Sequence, residues 1–229
     1  MSVRLSHLLV GTPQPLGDKA VPSSIASRRP VNAPVRVTML GLDGDAVGDT
    51  KVHGGPDKAI HLYPYDHYAV WAGEQQAMTA HLSQPGAFGE NLSVAGVTEA
   101  DVCLGDVVAL GTARLQIAQA RQPCWKLGVR FGLPTLPRLV QKTGRTGWYY
   151  RVLEEGEIQA GDELRLIDRP NPTWTLARAL RTLYVDTLNR DALTELSTLP
   201  GASAGLQRLA ANRLANAAVE DWERRLGGG

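Results

Sequence analysis

The chain has 229 residues, with 24 Lys and Arg against 23 Asp and Glu. That length holds one large domain, or one of about 150 residues with a smaller appendage. A net charge of +1 gives no overall field to draw a nucleic-acid polymer or an acidic membrane, so any bound anion must be held by a local cluster of cations. With 43% apolar residues the chain can bury a real core. Its two cysteines, Cys103 and Cys124, are too few for a disulfide framework or a four-cysteine zinc or iron–sulfur site. No apolar run approaches the ~18 residues of a membrane span, and the opening residues lack a signal-peptide cleavage site. A cytoplasmic protein is expected.

In chain order, Val3, Leu5, His7 and Leu9 alternate with mostly polar neighbours, the period-two signature of a strand. Residues 35–40 and 59–63 repeat it. Pro64 and the residues after it suit the first turn of a helix, with Tyr68 and Trp71 on one apolar face. Residues 106–110 and 113–118 are separated only by Gly111-Thr112, which predicts a hairpin with a type II′ turn. Residues 148–153 and 163–167 complete a set of seven short strands. This pattern predicts a mainly β fold, a compact β-barrel with a few helices, over residues 1–168.

After Pro172 the period changes. Leu176, Leu180, Leu183 and Tyr184 recur at helical spacing, with Thr173 as a cap candidate. Asp191 and Ser203 are candidate caps for two further helices, and residues 219–226 close the chain. Residues 173–229 therefore read as a short C-terminal helical bundle ending in a frayed glycine tail.

Several motif matches fail on their context. Gly201-Ala-Ser203-Ala-Gly205 has the spacing of a hydrolase nucleophile elbow, but Pro200 precedes it instead of a strand, and no histidine lies beyond His81. Ser203 reads as a helix cap. Asp43-Gly-Asp45 opens like a calcium loop, yet the fifth and twelfth positions are Val47 and Gly54, which supply no side-chain oxygen. His53, His61, His67 and His81 show no zinc-binding spacing. Phosphate-binding and dinucleotide-binding glycine motifs are absent from the sequence.

Four segments carry more functional groups than simple loops need. Lys51-Val-His53-Gly54-Gly55-Pro-Asp57-Lys58 offers a sharp backbone turn flanked by cations, which suits an anion cradle as well as a surface turn. Phe88-Gly-Glu-Asn91-Leu92 is the second. In the third, Arg121-Gln-Pro-Cys124-Trp-Lys126, two cations lie within three residues of a cysteine. Cations beside a thiol favour its reactive form, so Cys124 is a better nucleophile or metal ligand than Cys103, which reads as a small buried apolar residue. The fourth, Lys142-Thr-Gly-Arg145-Thr-Gly-Trp148, pairs two cations with two glycines.

Together with Leu104-Gly-Asp106, these segments resemble, in the same order, the motifs of the MOSC domain family and its YiiM-like branch, whose members also carry a helical bundle after the barrel. The resemblance implies a barrel that binds the molybdenum cofactor, a pterin dithiolene with a terminal phosphate. Cys124 is then the catalytic residue and the protein thiolate on the metal. Lys51, His53, Gly54, Gly55, Lys58, Arg121, Lys142 and Arg145 are expected to hold the phosphate and polar edges. Asn91 is either a pterin or substrate contact or a turn-capping side chain, and Trp148 either a stacking wall or a core aromatic. The implied chemistry removes oxygen from an N-hydroxylated compound, such as 6-hydroxylaminopurine, using two electrons and two protons and releasing water. Two cysteines cannot supply a cysteine-ligated iron–sulfur cluster, and no flavin or nicotinamide fingerprint occurs, so an external reductase must supply the electrons. A monomer or homodimer is expected. The alternative is a non-catalytic carrier of the cofactor or of sulfur, and a third reading is a cofactor-free barrel that binds anions.

Overall fold

In the computed structural model, residues 2–49 and 53–228 are described. Seven strands form a closed barrel: β1 (Ser2–Val10), β2 (Ile60–Pro64), β3 (Leu92–Val94), β4 (Val107–Leu110), β5 (Ala113–Ala120), β6 (Trp148–Glu154) and β7 (Glu163–Asp168). Their order around the barrel is β1-β3-β2-β6-β5-β4-β7, and β7 closes on β1 with Val3 opposite Leu164. All neighbours are antiparallel except β2 and β3, which pair in parallel with Leu62 beside Leu92. The crossover joining them carries α1 (Asp66–Glu74), whose buried face is His67, Tyr68 and Trp71.

The alternation read in β1 holds as far as Leu5. A register shift between Leu5 and His7 then lets both Leu8 and Leu9 turn inward. The hairpin of β4 and β5 has the predicted two-residue loop, with Leu110 opposite Ala113. Gly111 alone of its two loop residues has positive φ, +54°, as a type II′ turn requires.

Residues 35–38 form a strand, but it belongs to a separate three-stranded sheet with Gly156–Ile158 and Gly41–Leu42. The seventh barrel strand is the three-residue β3, too short to show a period. Two helices besides α1 also interrupt this part of the chain: α2 (Lys126–Phe131) and α3 (Leu136–Thr143). They pack with α1 and Phe88 on a second core that includes Tyr63, Phe131 and Val140. In it the Tyr63 and Phe88 rings stack at 4.0 Å.

The C-terminal helices are α4 (Leu176–Tyr184), α5 (Arg190–Ser197), α6 (Ala204–Asn216) and the short α7 (Glu223–Gly227). Leu176, Leu180, Leu183, Leu193, Leu196 and Leu206 join the main core with the barrel residues. Two expected caps move: Thr175, not Thr173, accepts the Arg178 N–H, and Asn189, not Asp191, accepts the Ala192 N–H. In each case the extended residue just before the first turn takes the cap, as its geometry demands. Ser203 caps α6 as expected, accepting the Leu206 N–H at 3.1 Å, and its hydroxyl donates to Gln119 Oε1 at 2.7 Å. The serine of the elbow-like motif is therefore a cap tied to the barrel. Among the described residues no helix is long and apolar enough to cross a membrane.

Because Ser203 both caps α6 and bonds to β5, Ser203→Ala should lower unfolding stability by about 1–2 kcal/mol. Urea denaturation followed by circular dichroism measures this, and an unchanged midpoint would show that neither bond matters.

Candidate functional site

The strand β5 loses register between Ile117 and Gln119, so its end is re-aimed just before Arg121. The Arg121 N–H then pairs with the Gly147 carbonyl at 3.0 Å. Glu99 fixes that carbonyl's segment by accepting the N–H groups of Thr146 at 2.9 Å and Gly147 at 2.7 Å. Gly147, at φ +67°, passes so close to β2 that a Cβ there would lie 2.3 Å from the Leu62 carbonyl oxygen. The turn that follows Arg121 carries Cys124 and leads into α2.

A cleft with a free volume of about 60 Å³ opens at this turn. Its lining brings together Cys124, Arg121, Lys126, Lys58, His53 and His61, with Asn91, Arg28 and Tyr149 behind them. Cys124 is only 9% exposed, and Arg121 and Lys126 are each 6% exposed. Lys126 Nζ donates to the Pro22 carbonyl at 3.3 Å, while Arg121 Nη1 is buried with no hydrogen-bond partner among the described residues. Arg28 is neutralised by Asp45 at 2.6 Å and also donates to the Gly89 carbonyl.

The two cleft histidines are shifted by burial first and by these cations second. Burial pushes His53 down to about 4, and Lys126, Arg121 and Lys58 push in the same direction, with Asp49 opposing more weakly. His61 is held well below the usual imidazole range by burial, then by Arg121 and Arg28; its Nδ1 lies 3.3 Å from the Gly89 carbonyl. Burial also lowers the Lys58 ammonium, against the pull of Asp57 and Cys124. The cleft thus offers one thiol, several cations and two imidazoles that stay neutral near pH 7.

The other candidates lie elsewhere. Gly54 and Gly55 line a neighbouring cleft of about 540 Å³, which shares Lys58 with the first and is walled by Gln119, Gln122, Leu183, Leu206, Arg208 and Leu209. Lys142 sits on the exposed side of α3. Arg145 is engaged by Glu74 at 2.7 and 2.8 Å and lies over the Trp71 ring. Trp148 is wholly buried inside the barrel opposite Leu62. Asn91 lines the Cys124 cleft, but its amide is spent on barrel closure, accepting from the His61 N–H and donating to the Leu9 carbonyl. Lys51 lies outside the described residues.

Leu104-Gly-Asp106 also has a structural explanation. Asp106 accepts the Cys103 N–H and pairs with Arg169 at 2.7 Å, fixing the start of the helical region. Cys103 is buried, which raises its thiol pKa.

Sequence reasoning missed Arg28, Ser23, Ser24 and Tyr149 as cleft residues. Only the Arg28-Arg29 pair in an otherwise unpatterned stretch offered a signal.

A model of the MOSC domain matches residues 49–165, and one of the YiiM-like 3-alpha helix domain matches residues 174–217. This chain belongs to the MOSC domain family. Protein YiiM of Escherichia coli is 38% identical over 207 residues, 90% of this chain and 91% of that protein. The crystal structure of YiiM from Escherichia coli superimposes with a TM-score of 0.79 over 95% of this chain and 98% of that one, at 32% identity. A protein of Gibberella moniliformis named a reductase is 35% identical over 170 residues, 74% of this chain but 30% of its own length. The MOSC family is associated with the molybdenum cofactor, and the fungal relative's name agrees with redox chemistry.

The His53 environment predicts a pH effect. Unfolded, its imidazole takes up a proton near 6.5, whereas in the folded chain it does so only near 4. The folded state therefore loses stability as pH falls through that window. An NMR titration of His53 should show a midpoint near 4, and His53→Gln should flatten the stability loss between those values. A midpoint near 6.5 would mean that the ring is neither buried nor faced by the cations.

Proposed function

We propose that this chain is a molybdenum-cofactor-dependent reductase of N-hydroxylated compounds, with Cys124 as the single protein thiolate on the metal. N-hydroxylated purines such as 6-hydroxylaminopurine are the substrate class. The observation that carries the reading is a lone thiol set in one narrow cleft with Lys58, Arg121 and Lys126. Among the described residues no three His, Cys, Asp or Glu side chains gather as a metal site. A metal here must therefore arrive on another ligand, with Cys124 adding one soft donor.

The residues present fit such a group. Arg121 Nη1 is a buried donor without a partner, suited to a phosphate or pterin oxygen, and Lys58 and Lys126 flank it. When bound, the cofactor supplies the two-electron removal of oxygen from an N–OH group. The chain does the rest. Lys58 Nζ, its pKa lowered by burial, gives a proton to the departing oxygen. His53, neutral near pH 7, offers one N–H donor and one lone pair to substrate or cofactor. The neighbouring 540 Å³ cleft takes the flat heterocycle, its leucines covering the ring and the Gln122 amide reading an edge. Electrons come from a separate reductase, because the chain has neither the cysteines nor the motifs to hold a second redox centre.

The test is molybdenum per chain for wild type and Cys124→Ala after expression in cells that make the cofactor. Near-stoichiometric metal that falls sharply in the variant is expected, together with turnover of 6-hydroxylaminopurine by the wild type with an artificial electron donor. Metal without turnover would make the protein a carrier. No metal in either protein, with supply verified on a control enzyme, would leave an anion-binding barrel. Gln122→Ala should raise KM about three- to ten-fold with kcat kept, the mark of a lost substrate contact. An unchanged KM would move the substrate out of the second cleft.

A further inference from the structure

The closing segment of the chain lies beyond both family-model matches, which end at residues 165 and 217. It grips the Cys124 turn from both sides. The Trp125 N–H, just after the cysteine, donates to the Arg225 carbonyl at 2.8 Å. The Arg225 side chain donates to the Pro123 carbonyl, just before the cysteine, at 2.6 Å. Its other terminal nitrogen donates to Gln141 Oε1 on α3 at 2.7 Å. Gly228 presses on the indole: a Cβ there would lie 2.8 Å from Trp125 Cγ. Further out, Arg138 of α3 holds Glu223 at 2.6 and 2.8 Å.

The peptide groups flanking Cys124 thus have partners in a segment about 100 residues later in the sequence. One planar guanidinium bridges the turn and α3, a geometry that lysine cannot copy because its ammonium is a single point. The Cys124 and Trp125 carbonyls accept the Leu127 N–H at 3.0 Å and the Val129 N–H at 3.3 Å, so α2 holds the turn from one direction while the closing segment holds the Pro123 carbonyl and the Trp125 N–H. α7 has only five residues, and Leu226 is its one buried side chain. Short elements with few buried groups open locally at a fraction of the global unfolding cost.

We propose that Arg225 is a positioning residue. Through it the closing segment acts as a strap that fixes the backbone on both sides of Cys124 and so sets the direction of its thiol. The role matters for catalysis only on the reading of Cys124 as metal ligand, but the strap itself can be tested on cofactor-free protein.

The experiment is the rate of Cys124 alkylation by iodoacetamide in a Cys103→Ala background, followed by mass spectrometry. Four chains are compared with this parent: Arg225→Ala, Arg225→Lys, Arg138→Ala and a chain shortened to residue 222. Arg225→Ala and the shortened chain should react about ten-fold faster, because the turn is released. Arg225→Lys should recover only part of the protection, and Arg138→Ala, which breaks the outer ion pair alone, should change the rate little. Adding a peptide of residues 217–229 to the shortened chain should slow the reaction again, which a general loss of folding would not allow. Thermal unfolding of each variant reports folding separately. Equal alkylation rates in well-folded parent, Arg225→Ala and shortened chain would overturn the proposal. So would full protection by Arg225→Lys, since a point charge would then suffice. A wild type without molybdenum would sink the cofactor reading and leave this result standing.

Discussion

Two cations, Arg121 and Lys126, stand almost wholly out of water beside a thiol, and the rest of the molecule is arranged to tolerate that. Burying an ammonium or guanidinium costs several kcal/mol unless a counter-charge or fixed dipoles replace the lost water. Here the nearby carboxylates are mostly committed elsewhere: Asp45 to Arg28, and Asp57 to Arg151. Backbone carbonyls such as that of Pro22 make up part of the difference. Burial, and after it the remaining positive potential, keeps His53 and His61 neutral. A segment under that strain needs a rigid support. It has one in the closed barrel on one side and the aromatic core under α1, α2 and α3 on the other.

The motifs divide according to which of these two duties they perform. Cys124, Arg121, Lys58 and His53 face the cleft. Asn91, Glu99, Asp106 and Ser203 spend their polar atoms on backbone and side-chain groups that join one element to another. Asn91 shows how closely the two are linked. It bonds the barrel strands β1 and β2 with its amide and still forms part of the cleft wall. A polar residue in a conspicuous motif can therefore belong to the scaffold of a site without touching its ligand.

What the sequence made legible was whatever depends on near neighbours. Alternation announced β1, the two-residue gap at Gly111-Thr112 announced a hairpin, and a helix cap was visible at Ser203. Cys124 could be matched with Arg121 and Lys126 because all three lie on one turn. Contacts set by closure of the fold gave no such signal. Arg145 looks like an anion-binding cation beside two glycines, but Glu74, 71 positions earlier, captures it. Trp148 follows Gly147 in the manner of a loop aromatic, yet its register opposite Leu62 turns it into the barrel. Lys142 and Gly144 read as an anion loop, whereas Gly144 is the left-handed end of α3, φ +72°, and Pro137 lies in its first turn. That proline-then-glycine pairing was a usable helix signal. Arg28 had only its pairing with Arg29 as a signal, since its role depends on the loop of Gly89 folding back over it.

The charge of the cleft also decides what kind of metal species its thiol suits. A bare divalent cation would meet repulsion from Lys58, Arg121 and Lys126, and among the described residues no three His, Cys, Asp or Glu side chains gather to offset it. Water screens such repulsion only weakly in a partly dry cleft. The sign reverses for a metal already wrapped in an anionic, phosphate-bearing organic ligand. On the proposed reading the same cations would attract, the unpaired Arg121 nitrogen would have an anionic oxygen to bond, and the thiol would add one soft donor. A cleft with few donors and several cations is a poor cage for a free ion and suits one that arrives already wrapped.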